Sequence, residues 1–253
     1  MAGRPGRNRK SAANADIKEE NVLQYSTVTE GTFISRPNRF TAWVEMEGRE
    51  VLCHVRNTGR CRELLVPGAR VYLEESSNPN RKTRYSLIAV IKGGRLINMD
   101  SQAPNRAAGE WLAKGGLFSP VTLLKAETRY GASRFDFYGE SGDGEKHFVE
   151  VKGVTLEENG VVLFPDAPTQ RGEKHLRELC QCSSEGYRGH ILFVVQMSHV
   201  RYFTPNRQTD PAFAAALEEA ERCGVEIRAV ECRVTPDSMT ITREVPVRLT
   251  EEG

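Results

Sequence analysis

The chain has 253 residues, 39% hydrophobic and 27% charged, and its 35 Lys and Arg against 34 Asp and Glu leave a net charge of +1. That length supports one large domain or two smaller ones with a proper core, while the near-neutral balance excludes a chain that is basic throughout, so any polyanion site must come from local clustering. No apolar run approaches the ~20 residues needed to span a bilayer, and no P-loop, GxGxxG or GxSxG motif is present, which counts against nucleotide-driven work and serine hydrolysis.

Residues 1–22, MAGRPGRNRKSAANADIKEENV, carry basic residues with no apolar stretch behind them, so they are not a signal peptide. Without hydrophobic periodicity they are expected to be a disordered tail, either inert or touching phosphates. The six cysteines, at 53, 61, 180, 182, 223 and 232, form no CxxC pair. With no secretion signal they are expected as reduced thiols in a cytoplasmic protein, several of them filling core.

Residues 23–100 are β-like. TFISRPNRFTAWVEMEGREVLCHV reads as strands broken by RPNR and by EGR; ARVYLEES and YSLIAVIKGGRLINMD follow, the second with a KGGR hairpin signal. Short strands at this density predict a small barrel of the OB type, or alternatively a sandwich fragment. Its basic residues cluster as Arg36 and Arg39 around Phe40, as Arg56, Arg60 and Arg62 around the Asn57-Thr58-Gly59 turn, and as Arg81, Lys82 and Arg84 beside Tyr85. On an OB frame they are candidates for contact with DNA phosphates, salt-sensitive and indifferent to sequence; the alternative is an ordinary solvated surface.

Residues 101–250 change character. Pro104, Ala107, Ala108, Trp111 and Leu112 predict a helix over 103–115 that ends at Gly115-Gly116. Strands follow in TLLKAETRYG, SRFDFYG and HFVEVKGVTLE. A helix over 173–185 should share Leu176, Leu179, Cys180 and Ser183 on one face and close at Gly186. HILFVVQM suits a central strand covered on both faces, Asp210-Pro211 caps a further helix, and VEIRAVECRV and MTITREVPVRL complete an α/β domain with a mixed sheet.

The acids in these strands ask for a reason. Alternation puts Glu150 and Lys152 on one face of HFVEVKGV, their Cα atoms ~6.8 Å apart. In SRFDFYG, Asp136 shares a face with Arg134 and Tyr138, opposite Phe135 and Phe137. A hairpin through ESGDGEKH brings Asp136 level with Glu150 if the register permits. Two close carboxylates repel unless a cation lies between them; such oxygen ligands suit Mg²⁺, or Mn²⁺, and a phosphate oxygen. Lys152 would aim an ammonium at the same point, where it can orient a water or offset phosphoryl charge. Alternatively, Glu150 and Lys152 are the wet face of a strand, with Asp136 paired to Arg134 or Lys152.

CHVRNTGRCRELLVPG, KAETRYGASRFDF, FVEVKGVTLEENG and FPDAPTQRGEKHLREL together resemble the sugar fermentation stimulation protein family (SfsA) over about residues 25–249. The resemblance implies an all-β OB-type barrel followed by an α/β PD-(D/E)XK nuclease-like domain, in proteins described as DNA-binding with a regulatory link to sugar metabolism. It implies a nuclease-like motif at Asp136, Glu150 and Lys152, with Glu127 or Glu110 as a further carboxylate; Phe135 stands where the motif has proline. From the family-like FPDAPTQRGEKH stretch, Asp166, Thr169, Arg171 and His175 are further candidates. Thr169 and Arg171 would lie at a helix N-terminus, which favours anions, so Arg171 could hold a phosphate; otherwise Asp166 and Thr169 cap turns and His175 is a solvated helix residue.

Two functions remain in view. One is a largely sequence-nonspecific DNA-binding protein, regulatory rather than catalytic. The other is a Mg²⁺-dependent endonuclease working through Asp136, Glu150 and Lys152. A protein–protein adaptor has no positive feature in the sequence, and no recognition helix or zinc finger suggests base-specific readout.

Overall fold

In the computed structural model, residues 23–57 and 59–250 are described, so the stretch 1–22 read as a tail lies outside the described residues, as does Thr58. After a two-residue strand β1 (Leu23–Gln24), six strands build the first layer system: β2 (Thr27–Asn38), β3 (Thr41–Met46), β4 (Arg49–Val55), β5 (Arg70–Glu75), β6 (Tyr85–Lys92) and β7 (Arg95–Asn98). Their order is β4-β3-β2-β5-β6-β7, and a parallel pairing of His54 with Ser86 and Val55 with Leu87 closes β4 onto β6. Closure of a short-stranded sheet leaves few bare edges, as an OB barrel requires. The long strand β2 serves two neighbours: Thr27–Thr32 pair with β5 and Thr32–Asn38 with β3. Gly31 sits at the handover, where a Cβ would lie 2.6 Å from Val44 Cγ1 and 2.9 Å from the Glu45 carbonyl, so β2 approaches β3 this closely only because no side chain intervenes.

The second part follows in order as α1 (Ala103–Ala113), β8 (Val121–Tyr130), β9 (Ser133–Ser141), β10 (Lys146–Val154), β11 (Leu156–Glu158), β12 (Val161–Phe164), α2 (Gln170–Ser184), β13 (Arg188–Val195), β14 (Tyr202–Pro205), α3 (Pro211–Arg222), β15 (Glu226–Thr235) and β16 (Ser238–Val245). A seven-stranded sheet runs β1-β16-β15-β13-β10-β9-β8, and β11-β12-β14 form a small second one. Since β10, β13 and β15 are mutually parallel and the outer pairings antiparallel, the large sheet is mixed. Ala103, Ala107, Ala108 and Leu112 of α1 pack with Val149, Val151, Leu192 and Val194 on one face. Leu176, Leu179, Phe213 and Leu217 of α2 and α3 pack with Phe148, Ile191 and Phe193 on the other. Burial on both faces explains the unbroken apolar run of β13.

Two details differ from the sequence reading. Leu23 and Gln24, grouped with the barrel at 23–100, pair instead with Met239 and Ser238, because Leu23 is fully buried in the α1-side core. In α2 the expected stripe of Leu176, Leu179, Cys180 and Ser183 is rotated: the helix begins at Gln170, and its buried side is Gly172, His175, Leu176, Leu179 and Cys182.

A buried polar hub joins barrel to sheet. Asn98, at the end of β7, donates to Tyr25 Oη at 2.9 Å and accepts from Gln196 Nε2 at 3.1 Å; its amide donates to the Gln196 carbonyl at 3.0 Å. Asp100 receives Tyr25 Oη at 3.3 Å and Arg56 Nη1 at 3.0 Å. Every buried partner is satisfied, so the hub rigidifies the junction instead of destabilising it.

Candidate active site

The ladder between β9 and β10 pairs Lys146 with Glu140 and continues to Val149 with Phe137, a register that points Asp136 at Glu150 but stops one pair short of it. There the Asp136 carboxylate replaces a backbone acceptor: Oδ2 receives the Val151 amide at 2.8 Å, and Oδ1 receives Asn105 Nδ2 of α1 at 2.7 Å. On the other side, Glu127 faces Asp136 with a left-handed φ of 52° and is missing from the β8–β9 pairing. Both strands therefore turn over at this point. Phe135 packs against Phe148 and His175, 5.4 and 6.1 Å between centroids, whereas Phe137 lies under Gly109 of α1. The expectation that Phe135 and Phe137 share one face is corrected accordingly: the irregularity at Asp136 breaks the two-residue period.

Glu150 lies in the middle of β10, 3% exposed. Its Oε1 accepts Lys152 Nζ at 2.6 Å and is hydrogen-bonded by His175 Nδ1. Its Oε2 is buried with no hydrogen-bond partner among the described residues. Helix α2 delivers His175. Thr169 caps the helix by accepting the Gly172 amide at 3.0 Å, while its own amide donates to Asp210 Oδ2 at 2.8 Å; Asp210 Oδ1 in turn caps α3. At Gly172 a Cβ would come within 3.0 Å of Phe213, so glycine there lets α2 close on α3 and hold His175 over Glu150. Arg171 Nε approaches His175 Nε2 at 3.5 Å, extending the array to Arg171–His175–Glu150–Lys152.

The electrostatics set the two acids apart. Burial, then the charge on Glu150, push the Asp136 carboxyl above its ordinary value, against the Val151 amide, Asn105 and Lys152. Burial also pushes Glu150 upward, but the hydrogen bond from His175 and the charge of Lys152 outweigh it and hold its carboxyl below the ordinary value. A buried anion with one bare oxygen beside a second, reluctant carboxyl fits a divalent cation. No group of three or more His, Cys, Asp or Glu side chains stands ready to hold a metal among the described residues. The donor set is two carboxylates, the oxygen ligands of a hard divalent cation and not the Cys and His set of a closed zinc cage.

The other candidates fall in several places. Glu127, expected as a metal-binding carboxylate, is exposed and paired with Arg134 at 3.2 Å. Glu110 faces away along α1, accepting from the Leu23 amide, and burial raises its carboxyl. Asp166 abuts the loop at Gly59, where a Cβ would lie 3.1 Å from its Oδ2. On the barrel, Arg36 is spent internally: its guanidinium donates to the carbonyls of Arg39, Asn57, Gly59 and Arg60 at 2.7–2.9 Å. Arg56 is likewise held by Asp100 and Glu74, Arg84 by Glu75, and Arg81 donates to Ser86 Oγ at 3.1 Å. Arg39, Arg60 and Lys82 are exposed with no carboxylate partner among the described residues. Asn105 escaped the sequence reading, since nothing in SQAPNRAAGE marks it except its place in the first turn of α1. Gly153, just past Lys152, admits the Pro104 ring and Gln196 Oε1, each 2.7 Å from where its Cβ would stand.

An OB barrel joined to an α/β domain with a mixed seven-stranded sheet, with Asp, Glu and Lys at the break between two strands, defines a restricted class of protein. The model of the "SfsA N-terminal OB domain" matches residues 34–99, and that of the "Sugar fermentation stimulation protein RE domain" matches 102–238. The chain belongs to the sugar fermentation stimulation protein family. It is 54% identical over 227 residues to the sugar fermentation stimulation protein homolog of Ruminiclostridium cellulolyticum, covering 90% of this chain and 100% of that one. To the homolog of Desulfitobacterium hafniense it is 55% identical over 229 residues, with the same shares of 90% and 100%. The solved structure of Pyrococcus furiosus SfsA in complex with Ca²⁺ superposes with a TM-score of 0.81 at 31% identity, over 90% of this chain and 99% of that one. No helix among the described residues is long and apolar enough to cross a membrane.

Proposed function

We propose that this protein is a divalent-metal-dependent phosphodiesterase acting on DNA, in which DNA binding by the barrel is the substrate step. The observation that carries the reading is the Glu150 carboxylate, buried, held through Oε1 by His175 and Lys152, and bare at Oε2 beside Asp136. The relative from Pyrococcus furiosus, described with Ca²⁺, also takes an oxygen-seeking divalent ion.

Asp136 and Glu150 would hold the cation, which supplies positive charge against a phosphate oxygen as negative charge develops there. Asn105 and the Val151 amide fix the Asp136 plane, leaving its outward lone pairs for the ion. His175 positions Glu150 and, through its contact with Arg171, links it to a cation at the exposed end of α2. Lys152 orients an attacking water or offsets charge on the phosphoryl group. The six cysteines, all free thiols, suit a reducing cytoplasm, and a link to sugar metabolism, carried by the family's name, would run through the DNA the protein handles.

The test is calorimetric titration of Mg²⁺ and Mn²⁺ into the wild type and Asp136→Ala, paired with incubation on single-stranded, duplex and branched DNA. Metal binding and cleavage that both vanish in the variant support the reading. DNA affinity unchanged by the substitution, with neither metal binding nor cleavage in the wild type, refutes it and leaves a DNA-binding protein on a nuclease frame.

A further inference from the structure

Four large hydrophobic side chains are exposed among the described residues, Phe40, Trp43, Leu52 and Val66, at 46, 37, 37 and 53%. Trp43 and Leu52 share one surface. Trp43 of β3 and Leu52 of β4 are cross-strand partners on the outer face of the barrel, and Phe40 ends the turn that leads into β3, its carbonyl bonded to the Val55 amide at 2.8 Å. A tryptophan with an aliphatic cross-strand neighbour, facing water on a β-surface, costs solubility and adds nothing to the core.

The charge around the patch is graded. The Arg39 guanidinium lies over the Phe40 ring at 4.9 Å. Arg39 and Arg60 spring from one corner, because the Arg36 fork gathers the carbonyls of Arg39, Asn57, Gly59 and Arg60. At the opposite end of the same face, Glu45 and Glu50 stand directly across from each other. A polyanion with stackable rings fits the basic end and is repelled from the acidic one. Next to the basic corner, Asn57 and Gly59 line a cleft of about 260 Å³ together with Pro104, Gly153, Phe164 and Asp166.

We propose that Trp43 and Leu52, with Phe40 at the turn before them, form a base-stacking platform for single-stranded DNA, and that the strand passes from it along Arg39 and Arg60 toward the cleft lined by Asn57 and Gly59. The cleft half rests on the phosphodiesterase reading; the platform half does not. Aromatic faces accept any base, so the platform tolerates sequence, while Arg39 and Arg60 track the backbone. The DNA it favours carries an unpaired segment, since a paired base has no free face for Trp43.

The experiment uses the full chain in EDTA, with an oligothymidylate and a blunt duplex as probes and tryptophan emission as the readout; the chain has two tryptophans, and Trp111 is half-buried on α1. The expected result is quenching by oligothymidylate but not by the duplex, lost in Trp43→Ala with affinity lowered about tenfold or more, and affinity partly restored in Trp43→Phe. Circular dichroism and Tm of both Trp43 variants show that the barrel stays folded, and Leu52→Ser supplies a second probe of the same face. Equal oligothymidylate affinity in wild type, Trp43→Ala and Leu52→Ser overturns the platform. A wild type that sediments as a dimer, becomes monomeric in Trp43→Ala and keeps its oligothymidylate affinity also overturns it, assigning the face to a second copy of this chain. Quenching that depends on Trp43 in a protein that cleaves nothing with metal added sinks the phosphodiesterase reading and leaves the platform standing.

Discussion

His147 allows the pH dependence of stability to be worked from named atoms. It is buried, 3% exposed, with its ring stacked on Phe118 at 4.0 Å. The Ser141 hydroxyl donates to Asp143, so the 3.1 Å contact between Ser141 Oγ and His147 Nε2 needs a proton on Nε2. His147 Nδ1 then accepts from His190 Nε2 at 3.0 Å, and His190 Nδ1 meets Glu226 Oε2 at 2.9 Å. A second proton on His147 would set two N–H groups against each other, in burial and beside another imidazole. Burial first, then His190, with Arg188 adding to them and Glu145 and Asp143 opposing, lower its pKa from 6.5 to about 4. Because the folded-state pKa is depressed, the unfolded chain binds more protons in that window, so stability is complete above pH ~6.5 and is lost as pH falls toward ~4. At 1.36 kcal/mol per unit, this one ring removes about 3 kcal/mol over the interval. Urea unfolding of the wild type and His147→Gln at successive pH values between these limits should give curves that diverge by about 1.4 kcal/mol per unit, the wild type being the steeper. Parallel curves would refute the argument, since glutamine has no such proton to bind.

Two other substitutions probe how the site is held. Gly153→Ala sets a methyl 2.7 Å from both the Pro104 ring and Gln196 Oε1; the expected cost is about 1–3 kcal/mol in chemical denaturation. It should also weaken Mn²⁺ binding in calorimetry, because displacing the start of α1 pulls Asn105 from Asp136. Arg36→Lys keeps the charge but loses the fork that holds four carbonyls. It should destabilise by about 2–3 kcal/mol and speed proteolysis at the Asn57–Arg60 corner; unchanged proteolysis would show that the corner is held by something else.

Much of this arrangement was legible in the residues. FDFYG and FVEVKGV announce a hairpin with acids in it, and a simple extension of the pairing puts Asp136 beside Glu150. The reversal at Asp136 was not legible, because alternation assumes an unbroken ladder and the left-handed Glu127 opposite it carries no glycine to flag the break. His175 stood open between a solvated and a functional residue until the start of α2 was known: beginning at Gln170 turns its ring inward onto Glu150. The basic clusters of the barrel misled in a particular way. Charge density can be read along a chain, but Arg36 and Arg56 found internal carbonyls and carboxylates contributed by distant segments. Trp43 was the converse case. In TAWVEM it looks like any aromatic in a strand, and only the closure of the barrel shows that it points to water.

The polar hub of Tyr25, Asn98, Asp100 and Gln196 has a metrical consequence. Its hydrogen bonds leave no hinge between β7 and the start of α1, and Arg56 ties the barrel to Asp100 in the same knot. The separation between Trp43 and the Glu150 carboxylate is thus a fixed length built into the fold, as in a gauge whose two jaws are cast in one piece. A strand engaged at both ends would be measured, and cut fragments would keep a constant tail. Loosening Asn98 or Gln196 would blur that length before it lowered affinity at either end.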